Sequence, residues 1–177
     1  MLLGLWILQA SHVNATVLVA ADLGELSREA RAIVRGRVVA TETRWTEDRR
    51  SVETLVTVDA EALLKGSLSQ TFQFVVPGGL LGRYRSILVG APEFVTGQRI
   101  VVFLGWHGPS FPYVLGLSQG LFRVVTDADG AQPLVIPPPT VSPYRGAARI
   151  VRGDTTRRPM RLAEFEQRIR ALAGESR

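Results

Sequence analysis

The sequence predicts an all-β fold, a small barrel or sandwich flanked by a short N-terminal helix and a C-terminal amphipathic helix. Between Ala32 and Val125, apolar and polar residues alternate over successive short segments, as in strands with one buried face. Three glycine-bearing segments interrupt the alternation: VPGGLLG at Val76 to Gly82, GAPEF at Gly90 to Phe94 and GLSQG at Gly116 to Gly120. Short strands separated by such turns favour closed all-β architectures.

The first elements follow from local pattern. Asp22 to Arg31 places apolar residues on one helical face, with glutamates near its start, which predicts a short helix. A strand follows from Ala32, and we expect a bulge at Gly36 because glycine allows a strand to coil sharply. The charged segment Thr46 to Arg50 is predicted to form a hairpin tip.

Five further strands are predicted after this tip. Val52 to Leu64 alternates, Thr71 to Val76 is a third strand, and Pro77 with the next two glycines ends it. Gln98 to Leu104 is apolar on both faces, which indicates a central strand. Two last segments are predicted to form a pair around Ser118 to Gly120: Tyr113 to Gly116 and Leu121 to Thr126.

The composition changes beyond Asp127. Ile136 to Pro143 is rich in proline and predicts an extended connector. Apolar residues then recur at helical spacing at Leu162, Phe165, Ile169 and Leu172. We expect this terminal helix to pack on its own domain, with capture by a partner or a membrane surface as the alternative.

The first fifteen residues resemble a secretory leader. Leu2 to Leu8 is apolar, and Val13, Asn14 and Ala15 have the form of a signal-peptidase site, so cleavage would leave Thr16 first. A buried N-terminal strand or helix is the alternative. The apolar run is shorter than the roughly 20 residues of a transmembrane helix, and none is predicted. We therefore expect a secreted or periplasmic protein with four parts: a signal peptide (1–15), a β-barrel domain (16–135), a proline-rich connector (136–160) and a C-terminal helix (161–177).

The composition excludes several kinds of site. The chain has no cysteine, which excludes disulfides, thiolate metal sites and a cysteine nucleophile. The net charge is +5, but the basic residues are almost all arginine, with Lys65 the single lysine. Such a bias can reflect genome composition, so it gives little support for nucleic-acid binding.

The sequence gives little support for catalysis or for a cofactor. GLSQG matches the nucleophile elbow G-x-S-x-G at Ser118, but a strand is predicted after it, and His107 precedes the serine. His107 alone cannot hold a metal ion tightly. Asp127 and Asp129 lack the later glutamate of a calcium loop, and no rule places a carboxylate pair such as Glu53 and Glu61 at catalytic separation. We predict no enzyme activity and no cofactor or metal.

Aromatic residues on predicted loops are the best candidates for a binding surface. Large aromatics and arginine are enriched in protein hot spots and in stacking platforms for sugars and single strands. The alternative is that these aromatics cap an open end of the barrel. The candidate partner-binding residues are Tyr84, Arg85, Phe94, Trp106, Phe111 and Tyr113.

The run from Ala32 to Val125 resembles a group of uncharacterised exported bacterial proteins, on the segments AIVRGRVVATETRW, TLVTVDAEALLKG, VPGG, GAPEFVTGQRIVVFL and GLSQGLFRV. The order of parts is also similar to the netrin-like modules of tissue inhibitors of metalloproteinases: a strand after a short helix, a strand ending in LKG, and a strand after a GQR turn. The resemblance implies a small OB-like or netrin-like barrel. Those inhibitors chelate the protease zinc through an N-terminal cysteine, which this chain lacks, so no functional residue is carried over to Thr16.

These observations predict a non-catalytic exported β-barrel binding module. The expected partner is a protein, such as a secreted protease that the module binds or regulates, and the expected contacts are the loops Gly79 to Phe94 and Trp106 to Tyr113. The alternative is an OB-type barrel that binds an oligosaccharide or a nucleic acid through aromatic and arginine side chains.

Overall fold

The computed structural model describes residues 21–106, 108, 111–126, 132–138 and 158–174. The expected leader, His107, Asp127, Asp129 and most of the proline-rich connector lie outside these residues. The elements in chain order are α1 (Leu23–Glu29), β1 (Ala32–Trp45), β2 (Val52–Lys65), β3 (Thr71–Pro77), β4 (Gly79–Leu81), β5 (Tyr84–Ser86), β6 (Arg99–Gly105), β7 (Tyr113–Val114), a 3₁₀ turn (Leu117–Gly120), β8 (Leu121–Val125), β9 (Leu134–Ile136), β10 (Met160–Arg161) and α2 (Leu162–Gly174).

Five strands close into a barrel in the order β1-β2-β3-β7-β6, and β6 pairs back with β1. All neighbours are antiparallel except β3 and β7, which run parallel where Val75 faces Tyr113. The sheet continues from β6 through β8 and β9 to β10. The predicted fold class is confirmed: the described chain is mainly β, with a closed five-stranded barrel consistent with an OB-like barrel, a short N-terminal helix and a C-terminal helix.

The barrel interior holds the first of two hydrophobic cores. Alternate residues along the strands point inward, because successive side chains of a strand lie on opposite faces. All five barrel strands contribute to this inner core, whose buried members include Val34, Val38, Val56, Val58, Phe72, Phe74, Ile100, Val102, Leu104 and Val114.

A second core lies on the outer face of β6 and β8, under the two helices. Val101 and Phe103 alternate with the inward residues of β6 and belong to this outer core, so β6 is buried on both faces as its sequence predicted. Leu162, Phe165 and Ile169 of α2 are buried in it, and the Phe165 and Phe122 ring centroids are 4.9 Å apart. The expectation that α2 packs on its own domain is therefore confirmed.

Gly36 lies at a register shift between β1 and β2, which confirms the predicted bulge. A Cβ atom at Gly36 would lie 2.5 Å from the backbone oxygen of Asp59 and 2.6 Å from a methyl group of Val58. The bulge thus brings two backbones closer than any residue with a side chain would allow.

Charged residues join α2 to the outer side of the barrel. Arg35 of β1 contacts Glu61 of β2, and its Nε donates to Glu166 of α2 over 2.6 Å. Arg99 of β6 donates from Nη2 to Glu61, also over 2.6 Å, and Arg170 pairs with Glu166 over 3.2 Å. Because the network links three strands and a helix, it holds α2 in one position on the barrel.

We expect Glu61 to make the stability of the fold fall in acid. Hydrogen bonding from Arg99 holds the pKa of the Glu61 carboxyl below its ordinary value of 4.5. A carboxyl whose pKa is lower in the folded than in the unfolded state stabilises the fold above the ordinary pKa, and this contribution is lost as the pH falls through the folded value. Melting temperatures between pH 7 and pH 3 should therefore fall less steeply in Glu61→Gln than in the wild type, from a lower starting point.

The matched control is Glu42→Gln, because Glu42 is exposed on β1 and forms no ion pair with another described residue. This variant should keep the wild-type dependence on pH. If the melting temperature of Glu61→Gln fell with pH as steeply as that of the wild type, the Arg99 contact would not contribute to the pH dependence of stability.

Candidate functional site

An exposed apolar surface lies beside the far end of the β1–β2 hairpin. It consists of residues on β1, on the short β4–β5 hairpin and on the loop that follows, and their exposed fractions range from 39% to 77%. The Tyr84 ring lies against the Trp45 ring, with centroids 4.9 Å apart, so the β4–β5 hairpin contacts the end of β1. We call this surface the apolar end, and its members are Trp45, Leu80, Tyr84, Ile87, Leu88 and Val89.

The VPGG segment positions the β4–β5 hairpin against the β1–β2 hairpin. The Gly78 amide donates to the Val52 carbonyl oxygen over 2.9 Å, and the Thr54 hydroxyl donates to the Gly78 carbonyl oxygen over 2.8 Å. Gly79 has a φ of 140°, and a Cβ there would lie 2.5 Å from Thr54 Oγ1 and 2.7 Å from the Thr43 methyl group. The two glycines thus allow β4 to lie directly on the strands that support it.

The loop after β5 is held by two backbone hydrogen bonds close to its apolar residues. The Ala91 amide donates to the Leu88 carbonyl oxygen over 3.0 Å. The Ser118 amide donates to the Gly90 carbonyl oxygen, also over 3.0 Å. Ile87 and Val89 nevertheless remain the two most exposed large apolar side chains among the described residues.

Phe111 lies on the other side of β1 from Tyr84. The Arg44 guanidinium carbon is 5.3 Å from the Phe111 ring centroid, and the same guanidinium pairs with Glu53 over 2.8 Å. Arg44 and Trp45 are consecutive in β1, so their side chains lie on opposite faces of the strand. Tyr84 and Phe111 therefore lie on opposite faces of the β1–β2 hairpin.

The six predicted partner-binding residues separate into two groups. Tyr84, Arg85 and Phe111 are exposed. The other three are half-buried: Phe94 and Trp106 contact the inner core, with Phe94 edge-on to Phe74 at 5.3 Å, and Tyr113 contacts the outer core. All six stay predictions, and the structure brings only the exposed group to a surface open to a large partner.

Several members of the apolar end were not among the predicted residues. Trp45 ends a strand and resembles a core residue in the sequence. Leu80, Ile87 and Val89 lie within the predicted contact segment Gly79 to Phe94, but they are aliphatic, whereas the predicted candidates are aromatic residues and an arginine. One signal could have found Leu80: VPGG and Gly82 bracket the apolar pair Leu80 and Leu81, and a hairpin in that place exposes one of the two.

Arginine surrounds the apolar end. Arg83 and Arg85 flank Tyr84, and Arg49 and Arg50 lie at the tip of the β1–β2 hairpin close to Trp45. None of these four side chains forms an ion pair with another described residue. At the same tip, a hydrogen bond from the Thr46 hydroxyl lowers the pKa of Asp48, and the Asp48 carboxylate also accepts from the Arg50 amide in the turn.

The GLSQG segment is a packing element in the structure. Gln119 is buried and its Oε1 accepts from the Ala21 amide over 2.9 Å, while strand β8 follows directly, as predicted. The positive φ angles of this segment are at Gly116 (57°) and Leu117 (56°), and not at Ser118. A nucleophile elbow needs the strained residue to be the serine and an α-helix to follow it, and neither condition is met here.

Comparison of the chain with protein-family models, with curated proteins and with solved structures found no match. The resemblance to exported bacterial proteins and to netrin-like modules therefore stays a prediction. Within the described ranges, no helix is long and apolar enough to cross a bilayer. The same ranges contain no group of three or more histidine, aspartate or glutamate side chains that could hold a metal ion.

Proposed function

We propose that this chain is a non-catalytic exported binding module whose apolar end docks a protein partner. One observation carries the proposal: six large apolar side chains, some more than 70% exposed, lie on neighbouring segments whose backbones are hydrogen-bonded in place. Leu80 pairs with Arg85 across the β4–β5 hairpin and therefore faces away from Tyr84, so exposed apolar side chains lie on both faces of the hairpin. Clusters of exposed apolar side chains are uncommon on soluble monomers and mark interaction sites. Export is supported by the apolar run and the Val13 to Ala15 pattern of the sequence.

The composition of the surface favours a protein as the partner. Trp45 and Tyr84 are the residue types most enriched at the energetic centres of protein interfaces. Unpaired arginines at the rim, such as Arg83 and Arg85, complement acidic side chains around an apolar centre. The partner is therefore a protein with an apolar patch bordered by carboxylates, a description that a secreted protease could meet.

The second candidate is binding of an oligosaccharide or a nucleic acid by stacking. Exposed aromatic rings and four unpaired arginines favour it. Stacking needs an open ring face, however, and one face of Phe111 is covered by Arg44 while Tyr84 lies against Trp45. The aliphatic residues Leu80, Ile87 and Val89 offer no stacking surface, and for this reason the protein partner is preferred.

Two alanine variants test the proposal. The wild-type chain first captures its partner from the native secretome, and the purified pair is then titrated. Tyr84→Ala and Ile87→Ala should each weaken binding by about 2 kcal/mol, or about thirtyfold, because hot-spot side chains lose that much on truncation. The melting temperature of Ile87→Ala should change little, since Ile87 is 71% exposed, and that of Tyr84→Ala should fall only slightly, since the ring loses its contact with Trp45.

Leu63→Ala is the matched control. Leu63 is 44% exposed, almost the same as Tyr84 at 43%, but it lies at the opposite end of β2 from the apolar end. It should leave affinity unchanged. Wild-type affinity in both test variants would refute the apolar end as the docking surface. A steep loss of wild-type affinity as salt rises would support the polyanion alternative.

A further inference from the structure

A groove with a volume of about 540 Å³ lies between α2 and the end of the extended sheet. Its floor is made of apolar side chains of the outer core, including Phe122, Val135 and Phe165, and Leu134 and Met160 form its walls. The volume is within the range of about 300–1,000 Å³ that is typical of small-molecule sites. None of the elements that form the groove belongs to the apolar end.

Arginines dominate the charge at the rim of this groove. Arg158, Arg161 and Arg168 line it and are exposed, while the only acidic lining residue among the described ones is Glu164. None of the three guanidinium groups forms a hydrogen bond or an ion pair with another described residue. Arg170, one turn from Glu166 on the same helix, does form such a pair. The rim therefore carries an excess of unpaired positive charge over an apolar floor.

We propose that the groove binds a single-chain amphiphilic carboxylate, of the fatty-acid class. The acyl chain would lie along the partly exposed side chains of Leu134 and Met160, above the buried rings of Phe122 and Phe165. The carboxylate would be held at the rim by Arg161 and Arg168. A guanidinium group donates two parallel hydrogen bonds to a carboxylate, which makes arginine well suited to hold this head group.

A peptide is a poorer fit to the same floor. Its backbone amides and carbonyls would need hydrogen-bond partners, but β9 already pairs with β8 on one side and β10 on the other, so only the two-residue strand β10 has an open edge there. An acyl chain has no such requirement. The combination of an apolar floor with a cationic rim thus selects a ligand with one charged end.

Calorimetric titration of the full chain with saturated carboxylates of eight, ten and twelve carbons, below their micellar concentrations, tests the proposal. Affinity should rise about fourfold for each methylene that the groove buries. Dodecanol should bind at least tenfold more weakly than dodecanoate, because it lacks the charge that the arginines recognise. Dodecyl phosphate has the same chain length and a different anionic head group. It should also bind more tightly than dodecanol, because the arginines recognise the negative charge.

The variants Arg161→Gln and Arg168→Gln should each weaken dodecanoate binding about tenfold, since each removes a charge-assisted contact. Arg123→Gln is the matched control: Arg123 is exposed on β8, next to Phe122 in sequence, but does not line the groove. Equal affinities for dodecanol and dodecanoate, an equal loss in all three variants, or the absence of saturable binding would each overturn the proposal.

Discussion

Replacement of Phe165 by alanine is expected to lower the melting temperature of the chain by about 10 °C, the largest effect of any single truncation proposed here. Phe165 is 2% exposed, and its ring lies 4.9 Å from that of Phe122, at the centre of the core under α2. Truncation of a buried phenylalanine costs about 3–5 kcal/mol because it removes buried area and leaves a cavity. Thermal unfolding followed by circular dichroism measures the effect.

Phe111→Ala is the control for this variant. It removes the same side chain from a position that is 42% exposed, so we expect a change of less than about 1 kcal/mol in the free energy of unfolding. If the two variants melted at the same temperature, α2 would not be packed on the barrel in solution, and its apolar face would be open to a partner.

Gly66→Ala is expected to lower the free energy of unfolding by about 3 kcal/mol or more, through backbone strain. Gly66 follows β2 with a φ of +79°, and a Cβ atom there would lie 2.1 Å from the Arg31 carbonyl oxygen and 3.1 Å from the Ala32 Cα. These are backbone atoms at the start of β1, and the Arg31 amide donates to the Leu104 carbonyl oxygen, so they cannot move without disturbing β6.

Gly82→Ala is the control that separates backbone strain from steric clash of the added methyl group. Gly82 has a φ of +60°, but no atom lies within 4 Å of its added Cβ, so only the left-handed backbone penalises alanine, by about 1–2 kcal/mol. Urea unfolding of both variants measures the difference. A loss at Gly66 no greater than at Gly82 would mean that the junction between α1 and β1 relaxes freely.

The sequence predicted the long strands well, because alternation over many residues is a strong signal. β2 and β6 lie within a residue or two of their predicted bounds. The bulge in β1 could be predicted because Gly36 is the glycine of that strand. The β4–β5 hairpin was predicted as loop, since three-residue strands are too short to show a period. β9 and β10 pair across a long stretch of sequence, which no local pattern reveals.

The candidate surface was predicted less well, for a physical reason. Aromatic residues can be identified in a sequence, but their exposure depends on register, and β1 shifts register again between Val38 and Ala40. Phe94 and Trp106, which lie outside the strands, contact the inner core, whereas Trp45 is exposed at the end of β1. Tyr84 and Phe111 were identified from the sequence, but their positions on opposite faces of one hairpin were not.

The closure of the barrel has a consequence for the order in which the chain folds. β1, β2 and β3 pair with their neighbours in sequence. Closure of the barrel instead requires Ile33 of β1 to meet Phe103 of β6, about seventy residues further on. Forming this long loop costs more chain entropy than forming a hairpin. Arg35 and Glu166, which fix α2, are 131 residues apart. We expect a three-stranded meander to form first, with its valine-rich face uncovered until β6 arrives. During synthesis, that interval is when this chain is most exposed to aggregation.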